Sequence, residues 1–72
     1  NIIMEIKTRV PGTVEKLNVK VGDQVKMKDE LLTLEAMKMM QKIISPVEGE
    51  VTELNVEEGD RVRAGAVLMV IE

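Results

Sequence analysis

Residues 10–35 read VPGTVEKLNVKVGDQVKMKDELLTLE, and residues 47–72 read VEGEVTELNVEEGDRVRAGAVLMVIE, the second following the first at a constant offset of 37. The two stretches align without a gap and agree at 11 of 26 positions. The matches are Val10 with Val47, Gly12 with Gly49, Val14 with Val51, Leu17-Asn18-Val19 with Leu54-Asn55-Val56, Gly22-Asp23 with Gly59-Asp60, Val25 with Val62, Leu31 with Leu68 and Glu35 with Glu72. Self-similarity of this kind is an internal duplication, in which two like units build one body. Carried backwards, the same offset pairs Ile2, Ile3 and Ile6 with Met39, Met40 and Ile43, so the opening segment also has an apolar counterpart.

Each half reads as short strands, because Val14, Leu17 and Val19, like Val51, Leu54 and Val56, are β-formers bounded by turn residues. Pro11-Gly12 carries Pro preset for the second position of a turn and Gly free to take positive φ at the third, which predicts a type II turn. Gly22-Asp23 and Gly59-Asp60 break the pattern at equal depth in both halves. Strands are expected at 2–7, 13–19, 24–27, 31–36, 39–44, 50–56, 61–63 and 67–71. Neither half can bury its apolar face alone, so the halves are expected to pair about an approximate two-fold axis as an all-β sandwich or flattened barrel of two small sheets. The expected core is Val14, Leu17, Val19, Val25, Leu31 and Leu34 with their repeat mates Val51, Leu54, Val56, Val62, Leu68 and Ile71.

Composition narrows the function. A chain of 72 residues makes one domain, expected to span 1–72, and such a domain buries only about 60% of its unfolded surface. Hydrophobic residues are 44% of the sequence and none is aromatic, so Val, Leu, Ile and Met fill a thin interior. With no Cys and no His, disulfide frameworks, the usual zinc sets and His-dependent catalytic groups cannot be assembled. The chain is not expected to be an enzyme by itself. A net charge of −3 and the lack of rings to stack on bases argue against nucleic acid. Apolar runs of a few residues argue against direct membrane insertion, no signal peptide opens the chain, and a cytoplasmic location is the default. Asn1 in place of Met implies processing or excision from a longer polypeptide.

Between the strands expected at 31–36 and 39–44 lie Met37 and Lys38, which places Lys38 at a hairpin tip. At the repeat offset its mate is Asn1, so the symmetry sets this tip opposite the chain ends. Lysine is a common exposed turn residue and methionine a common filler of core gaps. What distinguishes this pair is its place at the junction of the duplication, in a domain without another reactive group.

The segment Glu35-Ala36-Met37-Lys38-Met39 resembles the attachment motif of biotinyl domains, the carriers of biotin-dependent carboxylases, decarboxylases and transcarboxylases. The resemblance covers nearly the whole chain: Val10-Pro11-Gly12, the two Gly-Asp turns and Ser45-Pro46-Val47-Glu48-Gly49 fall where that family has its turns. It implies the barrel-sandwich hybrid fold of the biotinyl/lipoyl class, with Lys38 as the biotinylated residue, Met37 and Met39 as flanking recognition residues, and Glu35 and Ala36 as the rest of the motif. It also implies a biotin arm on Lys38 that carries an activated carboxyl group between active sites. The implied partners are a biotin protein ligase and biotin carboxylase and carboxyltransferase subunits or domains.

Two departures are visible. Thr8-Arg9 stand where many relatives have Ala-Pro, and the gapless offset leaves no room for the protruding thumb that some carriers insert in the first half, so the domain resembles the thumbless kind. The alternatives are a lipoyl-type carrier, which typically has Asp before and Ala after the lysine, and an unmodified structural hairpin module of the same fold. The flanking Met37 and Met39 favour biotin.

Overall fold

The duplication is visible in the backbone of a computed structural model that describes residues 3–72. Eight strands run in chain order: β1 (Met4–Lys7), β2 (Gly12–Leu17), β3 (Gln24–Val25), β4 (Glu30–Ala36), β5 (Met39–Ile44), β6 (Gly49–Leu54), β7 (Arg61–Val62) and β8 (Val67–Ile71). They form two four-stranded antiparallel sheets, ordered β1-β8-β6-β3 and β5-β4-β2-β7. Shifting each strand by one repeat turns the first order into the second, which is the expected pseudo-two-fold. Each sheet mixes the halves, because β3 joins the sheet of β6 and β7 joins that of β2. The body measures 35 × 18 × 18 Å.

The two-fold extends to individual hydrogen bonds. The Gly22 amide donates to the Val51 carbonyl at 2.8 Å, and the Gly59 amide to the Val14 carbonyl at 2.8 Å. Gly22 and Gly59 take φ of 97° and 94°, the left-handed region that the Gly-Asp motif anticipates. The buried hydroxyls of Thr8 and Ser45, one repeat apart, donate to the carbonyls of Val10 at 2.6 Å and Val47 at 2.5 Å, so neither is left unpaired. Thr8, which departs from the family pattern, thus forms the same local turn as Ser45.

The expected type II turn with Gly12 at positive φ is not formed. Gly12 opens β2 with an ordinary negative φ, and its need for glycine is one of space. A Cβ there would collide with the Glu35 carbonyl oxygen and lie 3.1 Å from Leu34 Cγ; at Gly49 it would lie 2.5 Å from the Glu72 carbonyl oxygen. Neighbouring segments approach at these points to backbone contact. The expected strands 13–19 and 50–56 end at Leu17 and Leu54, and one further amide in each still reaches the partner strand: Asn18 donates to the Leu31 carbonyl at 3.0 Å and Asn55 to the Leu68 carbonyl at 2.9 Å. The first strand begins at Met4, with Ile3 outside it and Ile2 outside the described residues. The strand expected at 24–27 stops at Val25, where the Lys26 amide donates to Asp29 Oδ2 at 2.8 Å, and that expected at 61–63 stops at Val62.

The core is Ile6, Val14, Val25, Leu31, Leu32, Leu34, Ala36, Val51, Val56, Leu68, Met69 and Ile71. Four expected members, Leu17, Val19, Leu54 and Val62, are only half-buried and lean on its rim. The residues missed include the repeat mates Leu32 and Met69. Both follow β-bulges: the β4–β5 register passes from Glu30 to Leu32 without using Leu31, and the β1–β8 register passes from Met69 to Val67 without using Leu68. The extra residue turns two successive side chains inward, which strict alternation forbids.

Candidate functional site

β4 and β5 are joined by two residues, Met37 and Lys38, closing a hairpin whose last rung is Ala36 opposite Met39. Of the two-residue turns that match the right-handed twist of their strands, type I′ takes positive φ at both positions. Met37 and Lys38 have φ of 55° and 64°, and neither is Gly, Asn or Asp. Left-handed backbone costs such residues about 1–2 kcal/mol each, and the ladder running from Glu30–Ile44 to Ala36–Met39 holds them there. The result is a tip set on paired strands that leaves both side chains exposed to solvent.

The Lys38 side chain is exposed. Ion pairs among the described residues join Lys7 to Glu5 at 3.6 Å and Lys42 to Glu30 at 3.4 Å, and neither takes in Lys38. Around it stand three exposed thioethers: Met37 is 81%, Met39 65% and Met40 60% exposed. In a chain with so little apolar matter to spare, exposing three of its six methionines at one point marks a contact surface. The rest of the motif divides by face, with Glu35 exposed and Ala36 buried in the close approach to Gly12.

Beside Lys38 and Met37 lies a groove of about 450 Å³. Pro11, Gly12, Thr13, Glu35, Arg61 and Val62 complete its lining. Sequence reading missed Thr13 and Arg61, which reach the tip only because β2 pairs with both β4 and β7. One signal was present: the repeat sets Arg61 against Gln24 and Thr13 against Glu50. A larger groove of about 660 Å³ opens between β1 and the far end of β5, lined by Met4, Ile6, Ile43 and Ile44 among others, away from the tip. Among the described residues no helix is long and apolar enough to cross a membrane.

The all-β body of two interleaved repeats thus presents Lys38 on a two-residue turn at one end. The profile of the Biotin_lipoyl family, described as "Biotin-requiring enzyme", matches residues 4–71. The chain belongs to this family, which makes it a carrier-type domain, non-catalytic in itself. It is 46% identical over 39 residues to the glutaconyl-CoA decarboxylase subunit gamma of Acidaminococcus fermentans, an alignment covering 54% of this chain and 27% of that subunit. Among solved structures, the urea carboxylase of Kluyveromyces lactis matches with a TM-score of 0.89 and 28% identity, over 100% of this chain and 6% of that one. A single-chain, multi-domain long-chain acyl-CoA carboxylase matches with a TM-score of 0.87 and 26% identity, over 94% of this chain and 7% of that one. The chain thus spans about a quarter of the decarboxylase subunit.

Proposed function

We propose that residues 1–72 act as a single biotin carboxyl carrier domain, with biotin held in amide linkage on Lys38. The observation that carries this reading is the tip itself: an exposed amine without an ion-pair partner among the described residues, on a two-residue turn flanked by Met37 and Met39. The residues present fit the group, since the amine is accessible to an acyl donor and the adjoining groove offers apolar and hydrogen-bonding surface. When bound, biotin supplies a ureido nitrogen that takes up and gives up a carboxyl group.

The chain's own contribution is presentation. An ammonium nitrogen has no lone pair with which to attack, so the domain needs a partner to remove the proton. A biotin protein ligase brings biotinyl-adenylate and a base; the Lys38 nitrogen attacks the acyl carbon, AMP leaves, and the amine gives up one proton as the amide forms. Met37 and Met39 give the ligase two long apolar side chains to read, where a lipoyl-attaching enzyme expects a short acid and a methyl. The rigid hairpin fixes the origin of the arm, and the arm raises the effective concentration of its head group at both biotin carboxylase and carboxyltransferase sites. The two carboxylases and the decarboxylase subunit to which the chain is similar support such partners, and a cytoplasmic setting is part of the same proposal.

Incubation with a biotin ligase, ATP and biotin, followed by peptide mapping, tests the reading. One biotin should appear on the peptide containing Lys38, and the Lys38→Ala variant should take up none. Label on another lysine, or none on a folded wild-type domain, would overturn it.

A further inference from the structure

Thr13 lies opposite both Glu35 and Arg61, and Glu35 lies opposite Met40. Residues opposite one another in antiparallel pairs share a face. Val14 and Leu34, the next pair along these strands, are buried, so the row Met40–Glu35–Thr13–Arg61 faces outward. Glu35 and Arg61 are two strand spacings apart, about 9–10 Å. Neither takes part in the ion pairs found among the described residues. The row therefore sets an acceptor, a hydroxyl and a donor side by side, with Val62, Pro11 and Met37 supplying apolar surface around them.

The molecule carries its own control. The pseudo-two-fold maps this row onto Ile3–Glu72–Glu50–Gln24, where Gln24 pairs with Glu50 and Glu50 exchanges backbone hydrogen bonds with Glu72. That row has two carboxylates and no cation. The repeat keeps Glu35 and Glu72 alike, and differs at Thr13 and Arg61, on the side that holds the lysine.

We propose that the groove bounded by Thr13, Glu35 and Arg61 is a docking site for the head group of the arm borne by Lys38, a neutral bicyclic urea. The inference rests on the reading of Lys38 as the biotinylated residue. A cyclic urea presents one carbonyl acceptor flanked by N–H donors. Arg61 donates to the carbonyl, Glu35 accepts from an N–H, and Thr13 between them serves either. Val62 and Pro11 meet the apolar ring. Lys38 itself borders the groove, so its own arm folds back into it without crossing another element. Docking there holds the head group against the domain between visits to other sites.

The test compares amide spectra of isotope-labelled domain before and after ligase treatment, with loading of Lys38 first verified by mass. Docking predicts shift changes at Thr13, Glu35, Arg61 and Val62 in addition to residues 37–39, and cross-relaxation between head-group ring protons and Thr13 or Val62. The Arg61→Gln variant, which installs the residue of the opposite row, should stay loaded and folded, lose the changes at Thr13 and Val62, and keep those at 37–39. Glu35→Gln gives an independent variant with the same expected loss. A loaded domain whose shift changes stop at residues 37–39 overturns the docking site alone. A domain that the ligase does not load overturns the reading of Lys38, and the docking site with it.

Discussion

Residues 10–35 and 47–72 are built on the same bonds and carry different surfaces. Asn18 and Asn55 both donate side-chain hydrogen bonds across to the neighbouring strand, at 3.4 Å to the Glu30 carbonyl and 3.2 Å to the Val67 carbonyl. Asp23 and Asp60 both accept from the amide three residues earlier, at 3.1 and 2.9 Å. Outside this frame the halves diverge: Val21 stands where Glu58 accepts from the Leu17 amide at 3.0 Å, and Gln24 where Arg61 borders the tip. The duplication preserves what backbone geometry requires and leaves free what solvent or a partner meets. Substitutions at mated positions therefore test whether the halves are equivalent in the core and distinct at the tip.

The largest effect on stability is expected in the core. Leu34 and Ile71 are repeat mates and both are 0% exposed. Truncating either to Ala removes packed methyl and methylene groups and leaves a cavity, which costs on the order of 2–5 kcal/mol. Urea denaturation should show both midpoints lowered by similar amounts. Leu54→Ala, at a half-buried rim position, should cost less than Leu34→Ala. A large loss at Leu34 with none at Ile71 would show that one half alone supports the fold.

Next come the two close approaches. Gly12→Ala and Gly49→Ala each press a methyl onto a carbonyl oxygen at the far end of the same half, Glu35 and Glu72, and backbone cannot swing aside as a side chain can. The expected loss is about 1–3 kcal/mol each, read as a lowered denaturation midpoint with an unchanged slope. Because Gly12 faces Glu35 and Ala36, its variant should also displace the base of the tip. Gly49→Ala, at the opposite pole, should leave the rate of Lys38 modification unaltered.

The left-handed pair at the tip has no repeat mate among the described residues, so its relief has no equivalent in the second half. Replacing Met37 and Lys38 by Asn and Gly, the pair this turn prefers, removes left-handed strain at two positions and should stabilise the domain by about 1–2 kcal/mol. The same variant loses biotin uptake completely. A rise in midpoint together with that loss would show stability given up for function at this turn.

The eight strands, their two sheets and the Gly-Asp turns were legible because the repeat supplied these signals twice, and Lys38 at a hairpin tip because strand patterns flank it on both sides. Leu32 and Met69 were not, since a bulge depends on how partner strands register and a strand's own alternation is silent about it. Gly12 was misread for a related reason: Pro-Gly is a turn signal locally, and the collision that demands glycine is with Glu35, far along the chain. The left-handed turn at Met37-Lys38 carries no Gly or Asn to announce it. Thr13 and Arg61 join the tip only through strand pairing, although the asymmetry of the repeat at those two positions was on view.

The smallest expected effect separates two kinds of glycine. Lys28 takes φ of 75° and its mate Gly65 a φ of 86°, and their amides donate to Ser45 and Thr8 carbonyls, both at 2.7 Å. One half thus accepts a side chain where the other has none. A Cβ at Gly65 would meet nothing within 4 Å, unlike one at Gly12 or Gly49. Only left-handed strain, about 1–2 kcal/mol, opposes a side chain there, and it is partly offset by the roughly 0.4–1 kcal/mol gained when the unfolded chain loses a glycine. Lys28→Gly should therefore raise stability, and Gly65→Lys lower it, each by no more than about 1.6 kcal/mol, as small opposite shifts of the thermal midpoint. Equal and opposite shifts would mean that the two turns share one geometry and differ in sequence alone. A Gly65→Lys cost as large as that of Gly12→Ala would show instead that the second half needs glycine there for space, and that the repeat is less symmetric than its hydrogen bonds.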